Sequence, residues 1–194
     1  MGAITRTFAN QIKTGGKLDA DGLDLTDTFA FTGTVTGTGG ITEADMFRLT
    51  AVTNQNTDAD ITTNIERVDD ATFSKIGTGM TESSGVFTFP STGLYLIIVQ
   101  LAIYSSDDGG AFVEGEVSSD SGSSYDTTIR VEFANGSGSA GKSTNIGQTF
   151  VNVTNSSNFR VKFKTISFNT TTSINGDTDK NISTFAFIKL GDSQ

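Results

Sequence analysis

Between Gly85 and Tyr104 the chain reads GVFTFPSTGLYLIIVQLAIY, and apolar and polar positions alternate up to a turn and then cease to alternate. Phe87 and Phe89 repeat at a spacing of two, as in a half-buried strand, and Pro90 and Gly93 mark a tight turn. From Leu94 to Val99 both parities are apolar, which predicts a strand covered on two sides. A two-layer sandwich covers one parity, so the other requires a second cover. We place Leu94, Leu96 and Ile98 at that second contact.

From Met46 onward apolar segments recur at short spacing, bounded by Gly, Ser, Asn and Asp. The pattern predicts nine strands, over residues 47–53, 61–67, 86–89, 94–104, 111–118, 127–133, 149–153, 159–166 and 183–190, and no long helix. Upstream, Leu23, Leu25, Phe29, Phe31 and Val35 share one parity but lack the bulk for a core of their own, which predicts a β stem. Ile4, Phe8 and Ile12 recur every fourth position before Gly15-Gly16, as in a short amphipathic helix or an extended docking arm. The expected organisation is a docking arm (1–16), a Gly/Thr-rich stem (17–45) and a jelly-roll head (46–194) of all-β class.

Composition sharpens the exclusions. The 194 residues contain no Cys and no His, which removes disulfides, Cys/His zinc sites and imidazole catalysis. We expect no catalytic residue, no cofactor and no metal site. A net charge of −9 opposes nucleic acid. Arg160, Lys162 and Lys164 alternate with Phe159, Val161 and Phe163 and read as the solvated face of one strand. No apolar run approaches the roughly 18 residues of a membrane span, and the first residues show neither a secretory h-region nor a myristoylation pattern.

Several motifs invite chemistry and are read as structural. Gly136–Ser143, GSGSAGKS, satisfies the phosphate-loop spacing, with Lys142 and Ser143 in the ligand positions, but TNIGQTFVNVT follows it and alternates as a strand. A phosphate loop needs the N-terminus of a helix there, so we read a hairpin loop. Asp107 with Asp108, Glu114 with Glu116, and Asp177 with Asp179 are each too few to complete a calcium shell. Asn135, Asn152, Asn155, Asn169 and Asn181 each begin N-x-[ST], as a chain rich in Ser and Thr provides by composition. Phe185 and Phe187 are at strand spacing and predict packing at the core or at a subunit contact.

FTFPSTGLYLI resembles the signature of the complement component one q and tumour necrosis factor superfamily, with an aromatic strand, Pro and Gly-x-Tyr in that order. STFAFIKLG resembles its final strand, and RVDDATFSKIGTGM resembles its early strands. The resemblance covers about residues 46 to 191 and implies a compact homotrimer with an apolar sheet face against the three-fold axis. There is no collagen-like repeat before it. MGAITRTFANQIKTGG and LTDTFAFTGTVTG are instead similar to the N-termini of structural proteins of marine tailed bacteriophages. This implies a virion protein assembled in the host cytoplasm, with other virion proteins of capsid or tail as partners. The expected role is a trimeric capsid decoration or short fibre protein. The alternative is a trimeric adhesin head that binds a host surface glycan or protein through loops such as Ser118–Tyr125.

Overall fold

The computed structural model describes residues 12–13, 17–18, 40–106, 110–133, 140–169 and 171–194. The chain divides into two units, Met1–Thr38 and Gly39–Gln194. In the first, β1 (Ile12–Lys13) pairs antiparallel with β2 (Lys17–Leu18), and Ile12 lies opposite Leu18. Ile4 and Phe8 of the expected docking stripe, and the stem residues Phe29 and Phe31, lie outside the described residues.

The second unit is a two-sheet sandwich. Its strands are β3 (Ala44–Leu49), β4 (Ile65–Arg67), β5 (Thr81–Ser83), β6 (Val86–Thr88), β7 (Gly93–Ser105), β8 (Ala111–Ser118), β9 (Asp126–Phe133), β10 (Gly141–Val153), β11 (Arg160–Ile166), β12 (Ser173–Ile174) and β13 (Thr184–Gly191). One sheet has the order β10-β7-β13-β3-β4, with β12 also paired to β7, and the other runs β5-β6-β11-β8-β9. After β6 the chain passes repeatedly from one sheet to the other, which is the connectivity of a jelly roll.

Phe47, Phe87, Phe163, Phe185 and Phe187 fill the space between the sheets. Phe87 packs edge-on to Phe47 with centroids 5.1 Å apart, and Phe163 stacks on Phe185 at 4.5 Å. Both Phe185 and Phe187 are thus core residues, at most 1% exposed. Tyr95 explains the Gly-x-Tyr of the turn. Its ring meets Phe89 at 4.8 Å, while its hydroxyl donates back to the Ser91 carbonyl at 3.2 Å and lies 3.0 Å from Ser91 Oγ. Burial is the main reason that the Tyr95 hydroxyl has a raised pKa. Gly93 is required because a Cβ there would stand 2.7 Å from the Gly191 carbonyl oxygen.

Three sequence expectations need correction. A strand, β5, precedes Val86 where none was expected: Ser84 and Gly85 have φ of 51° and 82° and close a two-residue hairpin between Ser83 and Val86. RVDDATFSKIGTGM, which resembles the early strands of that superfamily, forms after Arg67 a connection held by one bridge, Ala44 to Ile76, and by side-chain bonds from Arg48 to Asp69 and Asp70. Finally, β10 begins at Gly141 and not at Thr149, so Lys142 and Ser143 sit on a 13-residue strand paired to β7 throughout, not in a hairpin loop. Its inward residues Ser143, Asn145 and Gly147 are small or polar because they face β9 at the rim of the sandwich. A Cβ on Gly147 would meet Ile129 Cγ2 at 2.7 Å, and Asn145 Nδ2 donates to the Glu132 carbonyl at 3.0 Å.

Candidate functional site: the outer face of the six-stranded sheet

Along β7 burial alternates strictly. Tyr95, Ile97, Val99, Leu101 and Ile103 enter the core, while Leu94, Leu96, Ile98, Gln100, Ala102 and Tyr104 are half-buried on the opposite face. The three residues assigned from sequence to a second cover therefore share the outward parity. Register extends this parity across the sheet. Phe150 lies opposite Leu96, Leu96 opposite Ile188, Ile188 opposite Ala44, and Ala44 opposite Ile76. Directly opposed residues project to the same face, so an apolar row crosses five chain segments, about 19 Å at the usual strand spacing. The next row is Gln148, Ile98, Ala186 and Met46. Ile146 follows one row further on, opposite Gln100.

Ile146 and Phe150 are each 63% exposed on the described chain, the highest values among its large apolar residues. Full burial of either is worth about 1.5–3 kcal/mol. They were missed in the sequence because Gln148 separates them, Thr144 and Asn152 flank them, and Gly147 interrupts the strand pattern. The signal was present in the parity of Ile146, Gln148 and Phe150, which matches that of Leu94, Leu96 and Ile98 once β10 is aligned with β7.

At the β4 side the apolar face ends in charge. Arg48, 2% exposed, donates to Glu66 at 2.7 Å, to Asp69 at 2.6 Å and to Asp70 at 2.9 Å. Burial works against its charge, but the bonds to Glu66 and Asp70 outweigh it and raise the pKa. Asp45 is likewise buried and accepts from Arg67 Nε and from the Met80 amide.

Several of the other acidic and basic candidates pair with one another. Across β8 and β11, Glu116 faces Lys162 and Glu114 faces Lys164, while Glu114 also faces Arg130 of β9. Lys162 Nζ lies 3.1 Å from both Asp60 and Glu116 and 4.5 Å from the Tyr125 ring centroid. Its side chain is only 19% exposed, so the solvated-face reading of Arg160, Lys162 and Lys164 fails at Lys162. Burial lowers the Lys162 pKa, and its bonds to Asp60 and Glu116 more than reverse that. Asp177 accepts from the Asp179 and Lys180 amides and from Lys180 Nζ, and these bonds lower its pKa. Asp107, Asp108 and Asn135 lie outside the described residues.

Within the Ser118–Tyr125 segment, Asp120 is spent on the loop itself. It accepts from Ser124 Oγ at 2.6 Å, from the Ser124 amide at 2.9 Å and from Ser118 Oγ at 2.7 Å, and these bonds hold its pKa down at about 2. Lys142, opposite Tyr104, sits on strand β10, where a phosphate loop needs the start of a helix.

No protein-family model matches the chain, and no curated protein matches it. Solved structures do. The chain superposes on Eiger TNF from S. frugiperda with a TM-score of 0.62 at 13% identity, over 80% of this chain and 96% of that one. Murine APRIL at pH 5.0 superposes with a TM-score of 0.53 at 13% identity, over 76% and 98% of the two chains. The head is a tumour-necrosis-factor-like jelly roll. At this identity the likeness establishes the fold, and function rests on the surfaces of this jelly roll.

Proposed function

We propose that the protein is a non-enzymatic structural protein of a tailed-phage virion, displayed as a homotrimer in capsid decoration or as a short fibre. The observation that carries the trimer is the apolar face formed by Phe150, Leu96, Ile188, Ile98 and Ile146, which the jelly roll itself leaves uncovered. Exposed apolar surface of this continuity marks an interaction site. A closed ring of identical copies buries it without presenting a new apolar edge. The virion role is supported by the similarity of the first forty residues to phage structural proteins, and the arm with Ile4, Phe8 and Ile12 supplies the docking element. Three arms acting together bind with an avidity that one does not reach.

The test is deletion of residues 1–16. The truncated protein is expected to remain folded and trimeric and to disappear from purified particles, as measured by quantitative gel densitometry. Incorporation at the normal copy number would remove the docking role of the arm. Copy number in wild-type particles separates decoration, which follows the capsid lattice, from a fibre, which follows the tail. Absence from particles altogether, with binding of the isolated trimer to host cells, would favour the adhesin head.

A further inference from the structure

Toward the Ser105 end of the same face, the apolar rows give way to polar ones. Thr144 lies opposite Ala102, and Lys142 lies opposite Tyr104, which is in turn opposite Ser173. The segment carrying Asn175 and Asn181 forms the wall, and the result is an open groove of about 550 Å³ bordered by Gln100, Lys142, Thr144, Asn175 and Asn181. A second recess of about 340 Å³, lined by Tyr104 and Gln55, shares Lys142 and Asn175 with the first. The two recesses adjoin at Lys142 and Asn175.

The groups around it are held in place and incompletely used. Gln100 Nε2 donates to the Asn181 and Ile182 carbonyls at 3.3 Å each, and Asn175 Nδ2 donates to the Ala102 carbonyl at 3.2 Å. These bonds fix both amides and leave Gln100 Oε1 and Asn175 Oδ1 as acceptors. Among the described residues the Lys142 ammonium has no carboxylate within ion-pair distance, although acidic residues predominate in the chain. Its nearest aromatic is Tyr104, with the ring centroid 5.9 Å from Nζ. Lys162 and Lys180 each hold an acid at about 3 Å, whereas Lys75, Lys164 and Lys189 share with Lys142 the lack of one among the described residues.

We propose that this groove binds a saccharide carrying a carboxylate, such as a uronic or sialic acid residue. Lys142 supplies a charge-assisted bond to the carboxylate. Gln100 Oε1 and Asn175 Oδ1 accept from sugar hydroxyls, Thr144 Oγ1 donates or accepts, and the half-buried Tyr104 ring offers an apolar surface to the C–H face of the pyranose. A few convergent polar groups lining an open groove are what such a ligand needs. This assignment goes beyond the assembly role proposed above, and it requires that the Gln100 row and the rows toward Ser105 stay open at the edge of the trimer contact.

The test is titration calorimetry of the 194-residue chain with a tetrasaccharide containing glucuronic acid, with its carboxyl-reduced neutral form, and with acetate. The acidic tetrasaccharide is expected to bind about tenfold more tightly than the neutral one, and acetate more weakly than either. Lys142→Met should abolish the difference between the two tetrasaccharides, and Thr144→Glu should repel the acidic form, with both variants sedimenting as the wild type does. Equal affinity for the two sugars, unchanged binding by Lys142→Met, or no binding by the wild type at about 10 mM ligand would overturn the proposal. Acetate binding as tightly as the acidic sugar would reduce the groove to a simple anion site and overturn the saccharide. A monomer that binds would support the groove while removing the three-fold assembly, and a trimer that does not bind would do the reverse.

Discussion

The two sheets present opposite solutions to the same problem. The outer face of the five-stranded sheet carries Glu114, Glu116, Arg130, Lys162 and Lys164, set opposite one another by register so that acid faces base across the β11–β8 and β8–β9 boundaries. The outer face of the six-stranded sheet carries Phe150, Leu96, Ile188, Ile98 and Ile146 in the same kind of rows. A sheet with one face in water normally alternates apolar and polar. β11 obeys this rule, and β7 departs from it over Leu94–Val99. The contrast shows that the apolar face is a feature of one sheet and not of the composition, because both layers draw on the same Thr- and Ser-rich chain.

The largest effect should come from putting a charge where the account requires contact. Leu96→Asp introduces an ion into the middle of the apolar row, where burial without a partner costs several kcal/mol, and is expected to give a folded monomer by sedimentation. An unchanged assembly in this variant would mean that the face is open to water. Phe150→Ser together with Ile146→Ser removes apolar area without adding charge. Association should weaken by about 2–5 kcal/mol while the thermal midpoint of the protomer barely moves.

On the opposite sheet the comparison predicts the reverse. Lys162→Met leaves Asp60 and Glu116 without their cation and should lower protomer stability by about 1 kcal/mol in denaturant titrations, with no change in oligomeric state. A change of assembly here would place the contact on the wrong sheet. The smallest effect concerns Asp120. Its pKa is depressed to about 2 from an ordinary value of 3.8, so its bonds to Ser124 and Ser118 contribute above pH 3.8 and are lost as pH falls toward 2. Amide exchange at Ser124 should accelerate between these two pH values, and Asp120→Asn should exchange quickly at pH 6 as well.

How far the sequence revealed this contrast depended on residue type. β7 was legible because a strand with bulky apolar residues on both parities must be covered on both faces, and Pro90 and Gly93 marked the turn that starts it. The full length of β10 was not legible, because its inward residues Ser143, Asn145 and Gly147 pack at a sandwich rim where small size matters more than hydrophobicity. With the strand shortened, Ile146 was lost from the face and Lys142 was assigned to a loop. The ion pairs of Lys162 were hidden for a different reason. Glu116 is its cross-strand partner, but Asp60 is distant in sequence and reaches it through an isolated bridge to Lys164.

Sedimentation equilibrium of the 194-residue chain at micromolar concentration tests the central claim most directly. The account predicts a single species at three times the 20.4 kDa protomer mass. A well-behaved monomer, with Ile146 and Phe150 open to solvent and no tendency to associate, would contradict it.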